Sequence, residues 1–260
     1  MTPTPMNAEF ASQLLGWKVV RNGNLMPNTA DSDNEASKII AATVLDKLAV
    51  PRGIPTGVTD PKSGRPLERA VALSLRQELP HLDHGRQWHV HDAPVPISSF
   101  VQYSHLKEVD RLVRTNAELR ITLGRDYLIK PDVVVSLPGR TENELPFLHA
   151  AVSCKWTIRS DRVQNIRHEN NQMIRHRRER LPHLVSVTAE PLPSRLVAIA
   201  RGTGEVDAVY HIAYGALATA VTELGASGKI QAAQVDAWDE CVALGRVRPF
   251  PELAQTIARW

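Results

Sequence analysis

Apolar residues fall into two kinds of pattern along the chain. In three stretches of the first half they recur every three or four residues, as in helices that bury one stripe; later they run together, as in strands covered on both faces. ASKIIAATVLDKLAV (36–50) has the helical spacing and stops at Pro51, and NTADSDNEAS ahead of it reads as a turn leading into a helix cap. LERAVALSLRQELPHL (67–82) repeats the pattern with Glu68 in its first turn, and HLKEVDRLVRTNAELRITLG (105–124) predicts one long helix. PRGIPTGVTDPKSGRP (51–66) is too broken by Gly and Pro for regular structure.

The pattern then changes. DYLIKPDVVVSL (126–137) and PFLHAAVSCKW (146–156) are continuous apolar runs joined by a short polar turn, which predicts an antiparallel hairpin. QNIRHENNQMIRHRRERL (164–181) predicts a helix ending before Pro182. HLVSVTAE (183–190) and SRLVAIARG (194–202) predict two more strands, VDAVYHIAYGALATAVTELG (206–225) is largely helical, and the tail places Trp238 and Trp260 on helices. No repeat, low-complexity tract or linker interrupts the chain. The expectation is one α/β domain over 1–260: a helical N-terminal part (1–125), a core (126–215) and a helical C-terminal part (216–260).

Composition narrows the class. A hydrophobic content of 43% and a charged content of 23% are those of an ordinary soluble protein. The apolar runs are far short of a membrane span, and MTPTPMNAEF lacks the basic start and apolar centre of a secretion signal, so a cytoplasmic location is expected. Cys154 and Cys241, far apart, suggest neither a disulfide framework nor a zinc site. The net charge is only +3, but the positive charge is clustered, with seven arginines between Arg159 and Arg180 and no lysine among them. Guanidinium forks suit phosphates and guanine edges better than ammonium groups do.

The hairpin carries the candidate chemistry. Pro131-Asp132 lies near the start of its first strand, and Ser153-Cys154-Lys155 ends its second. Ser153 and Lys155 share one face and Cys154 takes the other. A hairpin brings Asp132 within reach of Lys155, and an arginine-rich helix follows. That layout suits metal-dependent phosphodiester hydrolysis: Asp132 and the Cys154 carbonyl offer oxygen ligands to Mg²⁺, while Lys155 orients or deprotonates water and offsets transition-state charge. Glu68 and Glu169 are expected to reach the same pocket from neighbouring helices. A PD followed some twenty residues later by S/D/E-x-K is a weak pattern alone.

The segments SGRPLE, PDVVVSL, LHAAVSCKWTIRSDRVQNIRHE and RLPHLVSVTAEPLPSRLVAIARGTGEVDAVYH resemble the NgoMIV-type, CCGG-cutting family of type II restriction endonucleases, within the PD-(D/E)xK nuclease superfamily. The similarity spans most of residues 25–215 and is densest from 146 to 214. It implies the PD-(D/E)xK core, a central mixed sheet flanked by helices, and Mg²⁺-dependent cleavage of double-stranded DNA at a palindrome containing CCGG, with GCCGGC favoured and 5′ overhangs left. Asp132 matches the family's metal-binding aspartate and Lys155 its catalytic lysine. Ser153 occupies the acidic position of the usual motif, Glu169 supplies the missing acid, and Glu68 matches a further active-site glutamate.

Arg159, Asp161 and Arg162 sit where the family reads CCGG. The chemistry agrees, because arginine pairs bidentately with guanine and aspartate accepts from the cytosine amino group. Asp31 aligns with a family aspartate near the outer base pair, although a helix N-cap explains it equally well. A palindromic target implies a homodimer at least, a tetramer being the larger alternative, and a cognate methyltransferase that shares the site without having to bind the enzyme. Other readings carry less. His89 and His91 in WHVHD lack further zinc ligands at suitable spacing, GTGE (202–205) lacks the Lys-Ser/Thr of a phosphate loop, and no G-x-S-x-G elbow is present. A DNA-binding protein with an inactive nuclease site is the competing class, and a structure-specific nuclease a third.

Overall fold

The computed structural model describes residues 6–20, 23–53, 64–202 and 204–259. Most of the expected 51–66 loop and Trp260 therefore lie outside the described residues. The fold is mixed α/β. A six-stranded mixed sheet runs in the order β3 (His89–His91), β4 (Val133–Leu137), β5 (Phe147–Lys155), β6 (His183–Thr188), β7 (Ala208–His211) and β8 (Val247–Pro249). The β3–β4 and β4–β5 pairs are antiparallel, and β5 through β8 are parallel. A small antiparallel pair, β1 (Trp17–Val19) and β2 (Leu25–Pro27), stands apart from it.

The expected hairpin is present, with Val133 opposite Val152 and a bulge between Val135 and Ser136. Strand residues alternate between two apolar layers, as the pleat requires. On one face Val133, Val135, Val152 and Cys154 pack with Leu67, Val71, Leu75 and Leu79 of α3 (Arg65–Leu82). On the other, Val134, Leu148 and Ala151 pack with Leu106 and Val113 of α4 (Leu106–Thr115) and Met173 of α6 (Ser160–His176). The α3-side layer extends through Cys154 and Trp156 to the end of β5, where the candidate chemistry lies.

Several elements differ from expectation for local reasons. The 105–124 helix is two, α4 and α5 (Ala117–Leu123), because the Asn116 side chain accepts the Glu118 and Leu119 N–H groups at 2.9 and 3.2 Å and starts a new helix. The first strand of the hairpin begins at Val133 rather than 126, so Asp132 stands just ahead of it. The arginine-rich helix covers Ser160–His176 instead of 164–181. Beyond it Arg177 turns extended, and its Nη1 donates to the Ile174 carbonyl at 2.6 Å, meeting an orphan acceptor of the last turn. Residues 194–202 are not a strand: α7 (Pro193–Ala200) begins with proline at a position where its missing N–H costs nothing. Within 206–225 a strand, β7, precedes α8 (Tyr214–Ala226), and Trp238 lies on α9 (Ala232–Ala243) as expected. No helix among the described residues is long and apolar enough to cross a membrane.

Candidate active site

At the C-terminal end of β5, Lys155 Nζ donates to Asp132 Oδ2 at 2.6 Å, and the Cys154 N–H donates to the same oxygen at 2.7 Å. Both side chains of the ion pair are 24% exposed. The alternation of the strand settles which backbone groups face this point. The Ser153 carbonyl accepts from Ser186 Oγ at 3.3 Å on the β6 side, whereas the Cys154 N–H points to Asp132 on the β4 side. A strand residue's N–H and C=O lie on one edge, so the Cys154 carbonyl is on the Asp132 edge. Its thiol is buried in the α3 layer and pushed well above its ordinary value by desolvation, so it is no nucleophile.

The other two carboxylates approach from two different helices. Glu68 stands in the first turn of α3 beside Arg65, at 3.9 Å, with its side chain 14% exposed. Its carboxyl is raised above its ordinary value first by burial and then by the Asp132 charge, with Arg65 and Lys155 opposing. Glu169, on α6, is also raised by burial, lowered by Lys155 and raised by Asp132. Asp132, Lys155, Glu68 and Glu169 therefore share one electrostatic neighbourhood, in which Lys155 is the cation both glutamates feel. Gly64 makes room for Glu68: it adopts a left-handed φ of +67°, and a Cβ there would stand 2.9 Å from Glu68 Oε1. Among the described residues, no three His, Cys, Asp or Glu side chains are grouped closely enough to hold a metal ion by themselves.

Four residues beyond Lys155 the chain presents its base-reading candidates. Arg159 is largely exposed, Asp161 is exposed in the first turn of α6, and Arg162 donates from Nη1 to the Thr157 carbonyl at 2.8 Å. Trp156 braces the turn by donating its Nε1 to the Asn28 carbonyl at 3.3 Å. Asp31 does not cap α2 (Glu35–Lys47); Asn34 does, accepting the Ser37 N–H at 2.9 Å. Asp31 instead binds Arg195 at 2.5 Å and faces Arg159 at 3.7 Å, which lowers its carboxyl. His89 and His91 lie exposed on β3. Glu190 and Arg195, buried or half-buried beside the turn that follows Lys155, were not singled out from the sequence. The pattern offers little signal for them: Arg195 falls in one segment expected to be a strand, and Glu190 is the last residue of the other.

A carboxylate–lysine pair where two antiparallel strands end, with two further carboxylates arriving from two helices and arginines close by, suits hydrolysis of an anionic ester. The sequence places that site in a family. The profile of the family described as NgoMIV restriction enzyme matches residues 15–145 and 137–237. The chain is 36% identical over 236 residues to the type II restriction enzyme NgoMIV of Neisseria gonorrhoeae, covering 78% of this chain and 82% of the relative. The chain belongs to the NgoMIV restriction enzyme family, whose members are type II site-specific deoxyribonucleases.

Proposed function

We propose that this protein is a type II restriction endonuclease of PD-(D/E)xK type that cuts double-stranded DNA at a palindrome containing CCGG, GCCGGC by similarity, leaving 5′ overhangs. The supporting observation is the Asp132–Lys155 pair at 2.6 Å, four residues from Arg159. The reading takes 1–260 as one domain, located in the cytoplasm and acting as a homodimer at least. Its target would be shared with a cognate methyltransferase.

Mg²⁺ fits the donors present. Asp132, Glu68, Glu169 and the Cys154 carbonyl are hard oxygen ligands, and Mg²⁺ keeps several waters and takes only one or two carboxylates, so no cage of three is required. Burial first, and the Asp132 charge after it, raise Glu68 and Glu169, and a cation placed among these carboxylates would favour their charged forms. When bound, the ion supplies Lewis-acid stabilisation of the scissile phosphate. Lys155 holds Asp132 by its short bond, orients the attacking water and offsets charge growing on the phosphate. Ser153 shares the Lys155 face of β5 and lines the pocket without adding charge.

Recognition falls to Arg159, Asp161 and Arg162, with Asp31 near the outer base pair. Arg162 gives only its Nη1 to Thr157, so the guanidinium has further N–H donors to offer a guanine. Sequencing the ends of digested DNA tests target and cut position together. Fragments ending within CCGG sites support the reading. Ends at unrelated sequences, or a gel shift with no cutting, refute it.

A further inference from the structure

The corner after β6 carries Glu190, whose side chain has no exposed surface. Its Oε2 accepts the Ile158 N–H at 2.6 Å and its Oε1 accepts the Leu192 N–H at 3.0 Å. Its own N–H donates to Thr188 Oγ1 at 3.1 Å, and its carbonyl meets His211 Nε2 at 3.0 Å. Burying a carboxylate is costly unless its lone pairs are met, and here both oxygens are. Burial still pushes the carboxyl up to about 7, against the two backbone N–H groups and Arg195.

The place of the first bond is what matters. Ile158 stands three residues after Lys155 and immediately before Arg159. β5 and β6 pair through Lys155 and Thr188, and the Ala189 N–H donates to the Trp156 carbonyl at 3.3 Å, so the Glu190 bond extends that tie into the turn joining the two sites. The same carboxylate stands 3.7 Å from Arg195, which binds Asp31 at 2.5 Å, and Asp31 faces Arg159 at 3.7 Å. These contacts close a ring from Ile158 through Glu190, Arg195 and Asp31 to Arg159, the next residue in the chain.

We propose that Glu190 is a positioning residue that sets Arg159 in register with Lys155, so that base contact and contact with the reacting phosphate are made together. The proposal rests on the nuclease reading above. Glutamine at 190 has one carbonyl oxygen for two N–H donors, and its amide would face the other donor or Arg195. The turn would then lose its single position.

The test compares wild type and Glu190→Gln on a duplex containing CCGG and on the same duplex with one of those bases exchanged, in cleavage with Mg²⁺ and in binding. The variant should discriminate the two duplexes about tenfold or more less well, with affinity for unrelated DNA unchanged. A purely structural role would lower the active fraction for both duplexes alike, and an unchanged ratio overturns the proposal. Because the ratio is read in binding too, a wild type that cuts nothing would sink the nuclease reading yet leave this test standing. If Glu190→Gln does not fold, Glu190→Asp serves the same comparison; it keeps the charge but is one methylene shorter, and a wild-type ratio in it overturns the proposal. A wild-type Ile158 amide that exchanges as fast as exposed turns overturns it independently of either variant.

Discussion

Replacing Lys155 with methionine removes one charge and keeps most of the side-chain volume. In the structure this ammonium is 2.6 Å from Asp132 Oδ2, and both groups are about three-quarters buried. At an effective dielectric of about 20, such a pair attracts by roughly 6 kcal/mol before desolvation is counted. Desolvation and the remaining Cys154 N–H bond on Asp132 offset most of this, so the stability loss should be about 1–3 kcal/mol, between the surface and fully buried limits. The catalytic loss should be larger. A single preorganised group facing developing charge contributes about a hundred- to a thousandfold, so the variant should cut roughly a thousandfold more slowly, about 4 kcal/mol of barrier. Single-turnover cleavage with enzyme in excess isolates that step, and a gel shift without metal reports binding. The pH profile gives a second reading. Lys155 lowers both glutamates, so without it they ionise at higher pH and residual activity should move to higher pH. Cleavage within tenfold of wild type would refute the role given to Lys155.

Three further outcomes follow from particular contacts. Gly64→Ala must place a Cβ 2.9 Å from Glu68 Oε1 at a φ of +67°, so it should lose about 1–3 kcal/mol and at least tenfold in cleavage, checked by thermal melting and the cleavage assay together. Arg162→Ala should lose about 1–3 kcal/mol per bidentate contact on CCGG duplexes while non-specific binding persists; an unchanged sequence preference would sink the assignment. His149 and His211, buried and lowered to about 4, are neutral in the folded state, so their contribution is full above the unfolded value of 6.5 and is lost as pH falls from there towards 4. Denaturant melts should show roughly 3 kcal/mol lost per histidine across that window, and His149→Asn should flatten the slope relative to wild type.

How much the chain announces depends on whether the signal is local. The hairpin is legible because β-branched runs on either side of a polar turn have few other solutions, and α3 because its stripe is regular. The break at Asn116 is a local signal masked by the apolar spacing around it. α7 reads as a strand because a short run of Val, Ile and Ala suits either state, with only Pro193 to argue for a helix start. The approach of Asp132 to Lys155 follows from pairing two strands. That Glu68 and Glu169 feel the same charges depends on two helices meeting at one strand end, which spacing alone does not encode. Glu190 and Arg195 escape notice for a related reason. A glutamate becomes a buried clamp only when two backbone N–H groups from different segments converge on it, and those donors lie 32 residues from it at Ile158 and two from it at Leu192.

The most direct test of the central claim is cleavage of a duplex bearing a single CCGG palindrome, by wild type and by Asp132→Asn, with and without Mg²⁺. The carboxamide that this substitution introduces can still accept the Cys154 N–H but no longer carries the charge that pairs with Lys155. Wild type with Mg²⁺ should give two discrete fragments, wild type without a divalent cation none, and Asp132→Asn none while still binding the duplex. Cutting without a divalent cation, a wild type that never cuts, or an Asp132→Asn protein that cuts at the wild-type rate would contradict the account.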